Sequence, residues 1–175
     1  MLETSNSQDE LYREAMRAHG AALERLARAY QADPDRRQDL LQEIHLALWR
    51  SFARFDGRCS TRTWLYRVAH NVAATHVLED RRMKSRQLLS LDELDALRDS
   101  GDTAQTADRR MALDRLLVLI EQLKPLDRQV VLMFLEGESA AEIAEVTGIS
   151  AGNVATKIHR IKTILARRFK EGGAQ

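Results

Sequence analysis

Basic and polar side chains recur at helical spacing near the C-terminal end of the sequence. From position 154 to 170 every charged residue is a base, namely Lys157, Arg160, Lys162, Arg167, Arg168 and Lys170. A solvated helix face usually mixes charges to form i,i+4 ion pairs, so a face of one sign favours phosphate as its partner. Residues that suit hydrogen bonds with base edges stand at its beginning, Asn153, Thr156, Lys157 and His159. The pattern predicts that the last helix binds duplex DNA.

A second group of residues with binding potential lies between positions 63 and 71. Two aromatic residues, Trp64 and Tyr66, stand beside Arg67 and Asn71. Four bases follow downstream, Arg81, Arg82, Lys84 and Arg86. Aromatic rings stack on unpaired bases at about 1–3 kcal/mol each while cations hold the phosphates, so this combination suits single-stranded nucleic acid. The alternative is that both rings belong to the core, which is the favoured interpretation of an isolated Trp.

Residues with catalytic potential form no recognisable catalytic or metal-binding pattern. The five histidines lack the HExxH arrangement and the Cys/His spacing of zinc sites. No P-loop or dinucleotide fingerprint occurs, and the paired acids Asp92 and Glu93 fall in a segment unsuited to rigid placement. We therefore expect no enzymatic activity, no metal and no cofactor. The single cysteine, Cys59, excludes an internal disulfide framework and fits a reducing compartment.

Helical periodicity runs through most of the 175 residues, and no stretch sustains a period-2 alternation. With 8 Gly and 2 Pro, the composition favours long helices over a turn-rich sandwich or barrel. A first helix is predicted over about 9–30, and Asp33-Pro34 begins a second. Ser60 or Thr61 caps a third helix. The three helices are expected to form one small bundle.

The sequence after position 108 predicts four further helices. Ser139 and Glu142 have the spacing of a capping box, which opens a short helix that Gly148 ends. Ser150 then caps the last helix. A short helix, a tight turn and a second helix, with the small Ala144 where they cross, are typical of a helix-turn-helix. An ordinary helical hairpin is the alternative, and it would tolerate larger residues at Ala144 and Gly148.

Acidic residues concentrate between positions 88 and 108, where six carboxylates accompany a single base, Arg98. We expect a flexible acidic linker with a short helical turn at LDELDAL, or a solvated helix over its first half. The predicted fold class is therefore all-α. Two small helical domains, 1–87 and 109–175, are joined by the linker at 88–108.

The total charge conceals this division between acids and bases. The chain has 27 Lys and Arg against 26 Asp and Glu, a net charge of +1, yet the acids gather in the linker and the bases in the last helix. Near-neutrality therefore does not exclude DNA binding, but it predicts weak binding by the free chain. No apolar run approaches the about 18 residues of a membrane span, and the start lacks signal-peptide features. We expect a cytoplasmic protein without membrane insertion.

Three segments resemble the extracytoplasmic-function group of bacterial sigma factors, the small two-domain members of the sigma-70 family. DLLQEIHLALW, which begins at Asp39, resembles region 2.2 of that family. TWLYRVAHN, which begins at Thr63, resembles region 2.3 entering region 2.4. The sequence from Leu126 to Leu165 resembles region 4, whose fold contains a helix-turn-helix. These segments occur in the family's order and are separated by a linker, as the family requires.

The resemblance implies binding to the β and β′ subunits of core RNA polymerase, recognition of the −35 and −10 elements of promoter DNA, and help in melting −10. The residues that match polymerase-docking positions are Asp39, Gln42 and Glu43. The residues assigned to the −10 element are Trp64, Arg67, Asn71, Arg81 and Arg82. The residues assigned to the −35 element are Asn153, Ala155, Thr156, Lys157, His159 and Arg160. An anti-sigma factor can be a further partner in this family.

Four positions depart from the family pattern, His45, Thr61, Leu78 and Ala155. These departures leave the promoter sequence open. The alternative function is a helix-turn-helix transcriptional regulator of the response-regulator type, which acts without replacing sigma. Such regulators usually carry an α/β receiver or ligand-binding domain, and nothing before position 87 predicts strands.

Overall fold

The computed structural model describes residues 2–84, 88–96 and 109–170, with the side chains of 7–79, 88–93 and 114–167. Within these ranges the chain forms eight α-helices, and its one β-bridge belongs to no strand. It divides into two units, Met1–Ser85 and Arg86–Gln175. The predicted all-α fold class is confirmed. No helix in the described ranges has both the length and the apolar character needed to cross a lipid bilayer.

Three long helices build the first unit, α1 (Leu2–Tyr30), α2 (Pro34–Phe52) and α3 (Thr61–Lys84). Asp33 caps α2 as predicted, because its side chain accepts the amides of Asp35 at 3.1 Å and Arg36 at 3.0 Å. Ser60 caps α3, and its Oγ accepts the Thr63 amide at 3.0 Å. The choice left open between Ser60 and Thr61 is therefore resolved in favour of Ser60.

Buried apolar side chains from all three helices meet in the core of this unit, Leu23, Leu26, Leu40, Ile44, Leu48, Leu65 and Ala69. On α2 the buried residues form an apolar stripe at helical spacing, which ends at Phe52. On α1, Ala15 is buried and Ala18 is exposed. On α3 the core also takes Tyr66 and His70, and the Tyr30 hydroxyl lies 3.0 Å from His70 Nδ1. A polar pair thus lies inside an otherwise apolar bundle.

Five helices build the second unit, α4 (Leu91–Ala96), α5 (Arg109–Glu121), α6 (Pro125–Leu135), α7 (Ala140–Thr147) and α8 (Ala151–Lys170). Pro125 is the first residue of α6. That position suits proline, because the first amide of a helix has no partner within the helix. Helix α5 stops at Glu121, several residues earlier.

The core of the second unit is mainly apolar, and three charged residues, Asp127, Arg128 and Glu138, are also buried. Its most buried members are Ile120, Val130, Met133, Ile143, Val154, Ile161 and Ile164. On α6, Leu135 is exposed while Met133 is buried. The Arg128 guanidinium is also buried and donates to the carbonyls of Glu121 and Leu123. These hydrogen bonds give a partner to carbonyls at the C-terminal end of α5, where a positive charge is also favoured by the helix dipole.

The segment of residues 88–96 belongs to the second unit, which corrects the expected flexible linker over these residues. The amide of Leu89 donates to the Gln122 carbonyl at 2.7 Å, and the amide of Lys124 donates to the Leu89 carbonyl at 2.7 Å. Leu88 and Leu91 are buried. The helical turn predicted at LDELDAL is present as α4, but buried leucines and backbone hydrogen bonds hold it in place. Residues 97–108 of the predicted linker lie outside the described ranges.

Candidate nucleic-acid interface

Helices α7 and α8 form the predicted helix-turn-helix. The Ser139 amide donates to Glu142 Oε2 at 2.7 Å and the Glu142 amide donates to Ser139 Oγ at 3.3 Å, so the capping box is complete. Gly148 ends α7 with a φ of 75°, a conformation that costs other residues strain. Ile143 and Val154 are fully buried between the helices. The structure thus supports a helix-turn-helix over the alternative, an ordinary helical hairpin.

Four of the six residues assigned to the −35 element are exposed at the beginning of α8, Asn153, Ala155, Thr156 and His159. Ser150 Oγ accepts the Asn153 amide at 3.2 Å and fixes the helix start. The Thr156 hydroxyl donates to the Gly152 carbonyl at 3.0 Å. Its hydrogen is therefore occupied, and the residue offers a methyl group and an acceptor oxygen to solvent. These groups can contact base edges in a major groove.

The other two residues, Lys157 and Arg160, form ion pairs within the second unit. Lys157 Nζ lies 2.5 Å from Asp127 Oδ1, and the two side chains are 30% and 6% exposed. Arg160 pairs with Asp92, a residue of α4. Sequence reasoning did not foresee either partner. Both carboxylates are far away in the chain, and only the packing of α4 and α6 against α8 brings them near.

Two further bases of the predicted face, Lys162 and Arg167, have described side chains. Lys162 is exposed, and its Nζ lies 5.4 Å from the centre of the Phe134 ring. Arg167 is half-buried. The side chains of Arg168 and Lys170 lie outside the described set. The face is therefore basic along α8, but two of its cations are partly neutralised by intramolecular carboxylates.

In the first unit, Trp64, Arg67 and Asn71 share one face of α3. Their i, i+3, i+7 spacing places them in line, and this face lies opposite the buried Leu65 and Ala69. Trp64 and Arg67 are half-buried and Asn71 is exposed. We call these three residues the α3 stripe. An aromatic ring, a guanidinium and an amide are thus presented together, as binding to unpaired bases requires.

The two aromatic residues of this helix have different environments. Tyr66 is buried, and its ring stacks against that of His70 at a centroid distance of 6.1 Å. Trp64 is held at the rim, because its indole N–H donates to Ser51 Oγ at 2.9 Å. Its ring also meets the Phe55 ring edge-on at 5.4 Å. The core interpretation therefore applies to Tyr66, and Trp64 keeps a surface open to a ligand.

Arg81 and Arg82 lie in the last turns of α3. Their side chains are outside the described set, so their assignment to the −10 element stays a prediction. His70, in the core beneath the stripe, is neutral, since burial lowers its pKa to about 3. Among the described atoms its Nε2 has no hydrogen-bond partner.

A separate groove on the first unit contains all three predicted polymerase-docking residues. Asp39, Gln42 and Glu43 are exposed on α2. The groove is lined by Arg36, Asp39, Gln42, Glu43, Leu46 and His76. Leu46 is 48% exposed, and His76 Nδ1 lies 3.6 Å from Glu43 Oε2. Sequence reasoning missed Leu46, one helical turn beyond Glu43, and His76, which comes from α3. Acids around an exposed leucine suit a basic, partly apolar protein surface.

No group of three or more His, Cys, Asp or Glu side chains in the described part of the chain is placed to hold a metal ion. A helical bundle with an aromatic and basic stripe, followed by a helix-turn-helix unit, defines a two-domain DNA-binding factor as the class of this protein.

Family comparisons place this class within a known family. Residues 15–83 match the family model described as Sigma-70 region 2, and residues 113–165 match the one described as Sigma-70, region 4. The first match covers α2, most of α1 and nearly all of α3. The second covers the helix-turn-helix and the two helices before it.

Known sigma factors are similar to this chain along most of its length. The RNA polymerase sigma-E factor of Streptomyces avermitilis is 34% identical over 152 residues, which cover 85% of this chain and 79% of that protein. The ECF RNA polymerase sigma factor SigX of Bacillus subtilis is 27% identical over 149 residues, or 79% of this chain and 73% of that protein. The solved structure of CnrH in complex with the cytosolic domain of CnrY shares the fold. Its TM-score is 0.66 at 21% identity, with 97% of this chain and 94% of that chain covered.

The chain belongs to the extracytoplasmic-function group of the sigma-70 family of RNA polymerase sigma factors. Members of this family are non-enzymatic transcription initiation factors. The comparisons support a promoter-directing sigma factor and do not support the alternative, a regulator of the response-regulator type.

Proposed function

We propose that α8 contacts the −35 element through Asn153, Ala155, Thr156 and His159, which meet base edges. Arg160, at the side of this face, contacts a phosphate. This assignment is supported by one observation. The four residues that are proposed to meet base edges are all exposed near the start of the second helix of a helix-turn-helix. Residues at that place enter the major groove in this motif. Lys157 acts mainly through Asp127, because only 30% of its side chain is exposed.

The α3 stripe is proposed to bind and open the −10 element. Trp64 stacks on an exposed base, Arg67 holds the backbone, and Asn71 reads a base edge. The support is geometric, since the three side chains share one solvent-facing side of α3 while the opposite side is core. The hydrogen bond from the Trp64 indole to Ser51 fixes the ring in advance, which lowers the entropy lost on stacking. Arg81 and Arg82 are proposed to supply further phosphate contacts.

The groove on α2 is the proposed docking surface for core RNA polymerase. Asp39, Gln42 and Glu43 supply polar and acidic contacts, and Leu46, one helical turn beyond Glu43, adds apolar area. This groove and the α3 stripe use different residues, so polymerase and DNA can be held together. Contacts with the β and β′ subunits, control by an anti-sigma factor and action in the cytoplasm are parts of the same proposal. The chain itself is proposed to catalyse nothing, since polymerase forms the RNA bonds.

Transcription with purified core polymerase tests this proposal. Fragmented genomic DNA of the source organism serves as template, and the 5′ ends of the transcripts are mapped with and without the protein. We expect new start sites that share −35 and −10 sequences. Asn71→Ala should remove these transcripts while core binding persists, and Glu10→Ala, an exposed position on α1, serves as control. Stable core binding without any shared promoter sequence would overturn the proposal.

A further inference from the structure

The segment of residues 88–96, here called the docked segment, has a defined position against the second unit. Its backbone pairs with the α5–α6 turn through both hydrogen-bonding groups of Leu89. Its helix α4 begins with a capping box, in which the Ser90 amide donates to Glu93 Oε2 at 2.6 Å and the Glu93 amide donates to Ser90 Oγ at 3.2 Å. Leu88 and Leu91 are buried beneath it. The acids that follow Leu91 are therefore held in place.

These acids meet the cations that surround the start of α8. Asp92 pairs with Arg160, and Glu93 Oε2 lies 3.0 Å from Lys124 Nζ. The Leu91 amide donates to Asp127 Oδ2 at 3.0 Å, and Asp127 Oδ1 binds Lys157. Three bases of the second unit, Lys124, Lys157 and Arg160, thus each contact a carboxylate. Two of these carboxylates, Asp92 and Glu93, belong to the docked segment and are exposed, and Asp92 is the one that contacts α8.

We propose that the docked segment is an intramolecular competitor for the DNA phosphate that Arg160 would bind. A carboxylate and a phosphate are equivalent acceptors for a guanidinium N–H, so Asp92 and a DNA phosphate would compete for the Nη1 group of Arg160. In the free chain Asp92 holds Arg160. On promoter DNA, a phosphate displaces Asp92. This inference rests on the proposed role of α8 and adds to it a reason for weak DNA binding by the free chain.

The attachment of the docked segment makes the competition effective. A carboxylate on an untethered linker would pay the full entropic cost of approaching Arg160. Here the buried leucines and the backbone hydrogen bonds of Leu89 already hold the segment in one conformation, so little further entropy is lost when Asp92 approaches Arg160. The ion pair itself is exposed and corresponds to the modest range measured for surface pairs. Removal of the Asp92 charge is therefore expected to tighten duplex binding by about two- to fivefold.

Duplex binding by the full chain tests the proposal. The probe is a short mixed-sequence DNA duplex at low salt, followed by fluorescence anisotropy, because phosphate contacts do not depend on sequence. Asp92→Asn should bind about two- to fivefold more tightly than the unchanged chain. Asp114→Asn removes the same charge from an exposed position on α5 and serves as the matched control. It should change the affinity little.

A double-mutant cycle separates competition at Arg160 from a general charge effect. In the Arg160→Ala background, Asp92→Asn should no longer tighten binding, because the guanidinium for which Asp92 and the phosphate compete is absent. Circular dichroism of each variant establishes that α8 is intact. Equal affinities for Asp92→Asn and Asp114→Asn would overturn the proposal, and so would a gain that persists in the Arg160→Ala background. Absence of binding by both the unchanged chain and Asp92→Asn would overturn it as well.

Transcription with core polymerase distinguishes this failure from failure of the proposed function. If the unchanged chain directs promoter-specific transcripts while Asp92→Asn gives no gain in duplex affinity, the competition alone is wrong. If no promoter-specific transcript forms with any variant, the sigma-factor assignment of α8 is wrong, whatever the duplex affinities are.

Discussion

Lys157 and Asp127 form an ion pair, with Nζ 2.5 Å from Oδ1, and the second carboxylate oxygen accepts the Leu91 amide at 3.0 Å. One buried carboxylate therefore joins α8, α6 and the docked segment. Lys157 stands in a basic helix that the sequence predicts to bind phosphate, yet its charge is used to orient that helix. A positioning role for Lys157 explains why it is less exposed than its neighbours Thr156 and His159.

Asp127→Asn should destabilise the second unit by about 1–3 kcal/mol, because an amide cannot replace the charge-assisted bond to Lys157. Hydrogen exchange of the α8 and α4 amides measures the effect. Both sets should exchange faster, since both elements lose a common anchor. Asp114→Asn is the control. Faster exchange in α8 alone would show that Asp127 does not hold the docked segment.

Arg160→Ala and Asn153→Ala should affect −35 binding in different ways. Arg160 is proposed to contact phosphate, so its loss should weaken binding by a similar factor for every −35 sequence. Asn153 is proposed to contact a base edge, so its loss should cost about 1–3 kcal/mol on the preferred sequence and relax the preference at one base pair. Binding to a panel of single-substitution duplexes measures both effects. A sequence-dependent loss for Arg160→Ala would contradict its assignment to phosphate.

Local signals predicted most of the fold. The cap at Asp33, the capping box of Ser139 and Glu142 and the turn at Gly148 depend on neighbouring residues, and all three are present. Their energetics are decided within a few residues, so the sequence carries them directly. The docked segment could not be predicted in this way. Its position depends on partners such as Gln122 and Asp127, which are more than thirty residues away.

The same distinction between local signals and distant contacts applies to the candidate sites. Helical spacing alone predicts that Trp64, Arg67 and Asn71 share a face, and the structure places them together. It does not reveal that Tyr66 is buried while Trp64 is half-exposed, because that difference depends on contacts with Ser51, Phe55 and other parts of the bundle. The assignments to DNA and polymerase come from the family resemblance and stay predictions for each residue.

Trp64→Ala should slow promoter opening strongly, and Ser51→Ala should slow it less. Ser51 accepts the indole N–H at 2.9 Å, so its removal leaves the ring present but less fixed. Permanganate reactivity of unpaired thymines in the −10 element, followed over time with core polymerase, measures opening. Trp64→Phe should restore part of the rate, because a ring that can stack is retained. Equal effects of Ser51→Ala and Trp64→Ala would show that the indole position, and not stacking, limits opening.

Leu46→Glu and Glu43→Lys should each weaken binding to core polymerase, by at least about tenfold if they lie at the centre of the interface. Leu46 is 48% exposed, so a charged residue there is tolerated by the fold and acts mainly on the partner. Surface plasmon resonance with immobilised core enzyme measures the affinity. Glu10→Lys is the matched control for the charge reversal at Glu43. Unchanged binding of Leu46→Glu would place the polymerase interface outside this groove.

The buried His70 should make the first unit less stable in mild acid. Burial lowers its pKa to about 3, whereas in the unfolded chain it is near the ordinary value of 6.5. Between these values the unfolded chain binds a proton that the folded unit does not, so the free energy of unfolding falls as the pH drops below about 6.5. From about pH 7.5 to about pH 5 the expected loss is about 2 kcal/mol.

Tryptophan fluorescence reports on the first unit, because both tryptophans, Trp49 and Trp64, lie in it. Urea unfolding followed by fluorescence at several pH values gives the slope of stability against pH. His70→Gln cannot titrate, so it should reduce this slope between about pH 7.5 and about pH 5 even if it lowers stability at every pH. His159→Gln, an exposed position in the second unit, is the control and should leave the fluorescence-detected slope unchanged. An equal slope in His70→Gln and the unchanged chain would mean that His70 takes up its proton in the folded unit, with the Tyr30 hydroxyl turned to accept it.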